Sequence, residues 1–175
     1  MEATDLLFPT LLLSPLYMAI TIAINSECLR NLDLSPAQSA IDQLLNSQLK
    51  AAPEQLLRFE IDCPTEPDDP RELSEIPEVR LWFIRLDCRY PWLPVLLDWQ
   101  AGELARYTAM LVPHQFHRTE GIQFNPEALE IFLMQKVFAI ADWLGSQGIP
   151  SQSKLLSMAK MLGYDLDDSF FQLIL

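Results

Sequence analysis

Two histidines stand three residues apart in Val112-Pro113-His114-Gln115-Phe116-His117, with Glu120 close behind. Imidazoles and a carboxylate are the ligand types of a zinc site, and the spacing would let them share a metal. A loop that follows a strand makes this a weak pattern, and the reading adopted is a surface loop whose histidines hydrogen-bond locally. Asp87 and Asp98 are the second candidate, since carboxylates on neighbouring strands form an acid–base pair if burial raises one of them. The plainer reading is that both face solvent. Lys136 is the third. On a helical wheel it falls inside a wide apolar face, where an ammonium needs a carboxylate, with Asp87 or Asp98 as possible partners, or must snorkel to water. The sequence favours snorkelling. Cys28, Cys63 and Cys88 are odd in number, far apart and in no CxxC pattern, which favours free thiols in a reducing compartment over a metal site.

Other residues suit binding rather than catalysis. Arg89, Tyr90 and Trp92 crowd one corner with the side-chain types enriched at interaction hot spots, unless the two rings only cap the core. Ile131, Met134 and Phe138 project from a helix among Glu127, Glu130, Gln135 and Asp142. They either lie under the last helices or form a stripe that binds a partner. Residues 60–78 carry eight acids (Glu60, Asp62, Glu66, Asp68, Asp69, Glu72, Glu75 and Glu78) against Arg71 alone. That run is either a solvated connection or a lure for a basic surface.

Several chemistries are excluded. With five glycines in 175 residues and no glycine-rich loop, nucleotide binding by the P-loop or dinucleotide route is ruled out. GxSxG and HExxH are absent. A net charge of −12 repels phosphate backbones and anionic membranes, and a helix-turn-helix-like pattern near the C-terminus would present aspartates to a DNA groove. Half of the residues are apolar, an ordinary globular composition, and the length suits one domain spanning 1–175. The apolar run Leu6–Ile24 contains Pro9 and Pro15 and follows acids, so residues 1–16 are expected as an extended N-terminal arm, neither a signal peptide nor a spanning helix.

The elements that position these residues follow from periodicity. Tyr17–Ile24 and Leu56–Ile61 alternate as strands. Ser35-Pro36 opens a helix to about Lys50, and four prolines make 62–78 an acidic loop. Val79–Asp87, Val95–Trp99 and Leu104–Val112 read as three strands of a meander, the first apolar on both faces apart from its ends and so a central strand covered on both sides, the last two joined by Gln100-Ala101-Gly102-Glu103. Asn125-Pro126-Glu127 caps a long helix to about Leu144, and two shorter helices follow, the first ending at Gly163. The expected fold class is α+β, with an antiparallel sheet of about five strands built on a β-meander and helices packed mainly on one face.

The run RLDCRYPWLPVLLDWQAGELARYTAMLVPHQF, followed by GIQFNPEALEIFLMQKVF and MAKMLGYDLDDSFF, resembles the chlororespiratory reduction factor six family of cyanobacteria and chloroplasts, from about Tyr17 onward. The resemblance implies an assembly factor for the photosynthetic NDH complex. It would act on the ferredoxin-like iron–sulfur subunit I before or during its incorporation into the peripheral arm. It also implies no catalytic, cofactor or metal residues, and a location in the cyanobacterial cytoplasm or, for chloroplast relatives, the stroma. The partner-binding residues expected on this reading are Arg89, Tyr90, Trp92, Ile131, Met134 and Phe138. The alternatives are a small metal- or acid/base-dependent enzyme of unknown substrate, and iron–sulfur handling through Cys63, Cys88 and a histidine.

Overall fold

The structure, a computed structural model, describes residues 19–47 and 56–174. The expected N-terminal arm lies outside those residues, as do the last residues, 48–50, of the expected first helix, which here ends at Asn46 with Ser47 as its cap. Strand β1 (Ile20–Asn25) buries Ile22 and Ile24 and leaves Thr21 and Ala23 in solvent. Asn25 ends the strand and caps helix α1 (Ser26–Arg30), its side chain accepting from the amides of Glu27 and Cys28. Helix α2 (Ser35–Asn46) follows, with Pro36 in its first turn and Ala37, Ala40, Ile41 and Leu44 on its buried face. Strand β2 (Leu57–Asp62) then pairs with β1 in parallel, Ile22 opposite Phe59. Two intervening helices are the crossover that parallel pairing requires.

The meander is not there. Among the described residues the only sheets are two pairs, parallel β1–β2 and an antiparallel hairpin of β3 (His114–His117) and β4 (Gly121–Phe124). The stretch read as a central strand is helix α3 (Pro77–Arg89), with Pro77 in its first turn and Glu78 beside the positive end of its dipole. Its buried residues Val79, Trp82, Phe83 and Leu86 fall at i, i+3, i+4 and i+7. Apolar residues on both strand faces suggested a strand covered on both sides, but the same residues fill one helical stripe and leave Leu81 and Ile84 exposed on the other face. Residues 95–99 form a 3₁₀ turn (Leu93–Leu96) and a single parallel bridge, Leu57 to Leu97, flanked by Pro91 and Pro94. The supposed third strand is helix α4 (Glu103–Leu111). Gly102 lies at φ +77°, so the expected hairpin turn is instead a helix entry.

Helix α5 (Pro126–Ser146) begins as expected, with the Asn125 side chain accepting from the Ala128 amide. Helices α6 (Gln152–Met161) and α7 (Asp168–Ile174) close the described chain. The core is centred on Phe59, Trp82, Phe83 and Tyr107, whose rings meet edge to face at 5.2–6.3 Å. Trp82 also donates through Nε1 to the Asp33 carbonyl at 2.7 Å, fixing α3 to the α1–α2 connection.

The second edge of β2 is closed by side chains. After the Asp98 amide donates to the Leu57 carbonyl, the chain turns into α4, and Arg106 Nη1 donates to the Phe59 carbonyl at 3.2 Å. Arg106 also bonds Glu103 Oε1 at 3.1 Å. Glu103 is buried to 1%, and its Oε2 has no geometric hydrogen bond. Burial therefore raises its carboxyl above the ordinary value, against the pull of the Arg106 guanidinium and the Phe59 amide.

Candidate functional site

Three helices place one polar side chain each at a common point. Asp87 sits one turn after Phe83 on α3, Tyr107 one turn after Leu104 on α4, and Lys136 between Leu133 and Val137 on α5. Asp87 Oδ1 accepts from both the Tyr107 hydroxyl and the Lys136 ammonium. Lys136 does not snorkel. Its side chain is 3% exposed, and its ammonium also lies 5.2 Å from the centre of the Phe132 ring. The sequence named Asp87 as a possible partner but favoured escape to solvent. Escape would have required a sheet edge next to α5, and α3 and α4 occupy that position.

The geometry has a direct electrostatic reason. An ammonium removed from water carries a desolvation penalty of several kcal/mol, about as large as its attraction to a buried carboxylate, so the pair is viable only with further hydrogen bonds. Tyr107 supplies one. Burial, then the Asp87 charge, pushes its phenol well above the ordinary 10, so it remains a donor throughout the neutral range. Asp87 itself is 23% exposed. Its second oxygen, Oδ2, has no hydrogen bond among the described residues, and the side chain forms part of the wall of a cleft of about 250 Å³. The rest of the wall is apolar, with Ile84 from α3, Leu111 and Val112 from the end of α4, and Ile131 and Phe132 from α5, except for the Cys88 thiol and the Gln135 amide.

The other candidates fall elsewhere. Asp98 is not beside Asp87; it lies in the turn before α4, where its side chain accepts from the Ala101 amide. A carboxylate pair is therefore not formed, because the two strands meant to align them are a helix and a turn. His114 and His117 separate too. His114 Nδ1 donates to the Val112 carbonyl at 3.1 Å, which leaves Nε2 to accept from Ser74 Oγ at 3.2 Å. Its partners have the polarity of a base beside a nucleophile, but Ser74 and the imidazole are each about 5% exposed, so the contact ties the hairpin to the 3₁₀ turn Leu73–Glu75. His117 is exposed, and Glu120 bonds Gln123. Among the described residues no three of His, Cys, Asp and Glu are grouped as metal ligands would be. Cys28 and Cys63 are half-buried, Cys88 is exposed, and none is in a disulfide.

Of the expected binding residues, Tyr90 is buried against the core and Trp92 stacks on Trp143 at 4.4 Å, leaving Arg89 exposed over the Tyr90 ring at 5.5 Å. The α5 row divides. Phe138 is exposed but approaches Phe170 of α7 at 6.3 Å, Met134 is half-buried, and Ile131 stands at the cleft. Ile84, the opposite rim, was missed because residues 79–87 were read as a strand buried on both faces. Helical spacing was the available signal, since Leu81, Ile84 and Cys88 share the face away from Val79, Trp82, Phe83 and Leu86.

No described helix is long and apolar enough to cross a membrane. No solved structure matches the fold. A scan against protein-family models matches residues 24–173 to the model for chlororespiratory reduction 6, a span that includes the whole α3–α4–α5 cleft and the Lys136–Asp87 and Glu103–Arg106 pairs. The chain belongs to the chlororespiratory reduction 6 family.

Proposed function

We infer that the protein is a non-catalytic assembly factor of the photosynthetic NDH complex. It binds the ferredoxin-like iron–sulfur subunit I before or during incorporation into the peripheral arm, in the cyanobacterial cytoplasm or the chloroplast stroma. The observation that carries this reading is the family match over residues 24–173. The surface chemistry of the protein is compatible with it. A factor that holds a client needs exposed apolar surface, and Leu81, Ile84, Ile131 and Phe138 supply it on α3 and α5. Arg89, over the Tyr90 ring, adds a cationic contact for a client, and the acidic residues between β2 and α3 would steer a basic client surface.

The test is binding of purified subunit I to the tagged protein, read by calorimetry or by retention on resin, with and without the clusters of the subunit. The expected result is a saturable one-to-one complex. Failure of both forms to bind, even after mild crosslinking, overturns the reading.

A further inference from the structure

The cleft between α3 and α5 joins an apolar rim to an unfinished polar floor. Ile84 from α3 and Ile131 from α5 both line it, 43% and 61% exposed, and large aliphatic side chains left in solvent around one depression mark a surface that a partner covers. The floor is Asp87, with Oδ1 saturated by Tyr107 and Lys136 and Oδ2 without a hydrogen bond among the described residues. The volume, about 250 Å³, lies below the roughly 300–1,000 Å³ of small-molecule sites, which suits a single inserted side chain.

We propose that this cleft seats one aromatic anchor of a partner protein, a tyrosine or tryptophan, with its ring between Ile84, Leu111, Ile131 and Phe132 and its O–H or N–H donating to Asp87 Oδ2. The chemistry of the walls selects that occupant. An aliphatic side chain would strip water from Oδ2 and return no donor, which is the expensive way to bury an acceptor. A lysine or arginine would bring a second cation beside Lys136, whose charge Asp87 already balances, and leave the site with a net buried charge. A carboxylate would meet Asp87 itself. A neutral body with one donor tip satisfies both wall and floor, and tyrosine and tryptophan combine the two. That the partner is subunit I rests on the reading above; the cleft's preference does not.

The experiment has two arms. In the first, the full chain, isotope-labelled at amides and methyls, is titrated with p-cresol and 3-methylindole, and with 4-methylanisole as the match to p-cresol that lacks the donor. Expected are shifts confined to Ile84, Leu111 and Ile131, and p-cresol binding roughly threefold or more tighter than 4-methylanisole, the worth of one hydrogen bond. The exposed rim change Ile131→Glu, which leaves Asp87 and Lys136 paired and the core untouched, abolishes both. Equal affinity for 4-methylanisole, shifts elsewhere, or unchanged binding to Ile131→Glu overturns the proposal. In the second arm, purified subunit I meets wild type and Ile131→Glu, with about tenfold weakening expected for loss of an anchor. If both bind equally, the cleft is not the seat and the assembly-factor reading stands. If wild type binds no subunit I, that reading fails, and the first arm alone decides the cleft. A concentration-dependent dimer that Ile131→Glu abolishes assigns the occupant to a second copy of the chain and overturns the proposal.

Discussion

Lys136–Asp87 and Glu103–Arg106 are built from the same chemistry with opposite halves buried. In the first the cation is sealed, at 3% exposed, and the anion reaches a cleft. In the second the anion is sealed, at 1%, and the arginine keeps 45% of its side chain in water. The difference follows from what each pair has to complete. Glu103 and Arg106 work on a backbone edge: the arginine satisfies the Phe59 carbonyl, and little acceptor capacity faces outward. Lys136 and Tyr107 both converge on one oxygen of Asp87, and the other is left for something else. A buried ion pair is weak grounds for stability by itself, so the surplus acceptor is the more informative feature of the two.

The largest expected effect breaks the sealed cation. Lys136→Met strips Asp87 of its counter-charge at a site only 23% exposed, and should lower unfolding free energy by about 3–5 kcal/mol in a urea titration. Replacing Asp87 and Lys136 together by leucine, with Tyr107→Phe so that no buried hydroxyl loses its acceptor, should recover most of that loss. If it does not, the pair is a stability element like any other and the contrast with Glu103 collapses.

A smaller effect, of the opposite sign, belongs to Glu103. Its carboxyl is raised by burial, so between about 4.5 and the higher folded value the native state holds a proton that the unfolded chain has released. Stability from this group therefore falls as pH rises through that window. Glu103→Gln should be the more stable protein at pH 7, by about 1 kcal/mol, with the gain shrinking as pH falls toward 4.5. Denaturation curves of both proteins across that range check it, and a gain that grows on acidification would show that the Arg106 attraction, not burial, dominates.

The smallest effect lies on the surface between β2 and α3. Arg71 grips the Asp69 carboxylate at 2.6 Å, and this hydrogen bond with its attendant charge holds Asp69 at about 2. The pair lies at the surface, with half of the Arg71 side chain in water, so Arg71→Ala should leave the thermal midpoint nearly unchanged while the Asp69 titration, followed by NMR, returns toward 3.8. A loss of stability there would mean that the acidic segment is more than a solvated connection.

Legibility followed local determinants. The Asn125-Pro126-Glu127 start of α5, the Ser35-Pro36 start of α2 and Gly163 after α6 were all readable, because caps, first-turn prolines and positive-φ glycines act within one turn of chain, although the cap position of α2 is Leu34 and Ser35 is already helical. Val79-Trp82-Phe83-Leu86 was misread because apolar side chains on successive residues serve either a strand covered on both faces or a helix with a partly exposed stripe. From that misreading came the false pairing of Asp87 with Asp98 and the missed Ile84. Ile131 and Phe138 were read as facing outward because the helix carrying them was placed correctly, and both are exposed.

The sequence by itself determined the family, the acidic charge, the absence of phosphate-loop and hydrolase motifs, and the presence of a lysine that had to find a carboxylate or water. All of these rest on residue type or on neighbours along the chain. Only the tertiary structure decided that Asp87, Tyr107 and Lys136 meet, 20 and 49 residues apart from Asp87, and that one oxygen remains open between Ile84 and Ile131. Which carboxylate a buried ammonium meets depends on how helices pack across the core, and packing is settled by the shapes of whole faces rather than by any short stretch of chain.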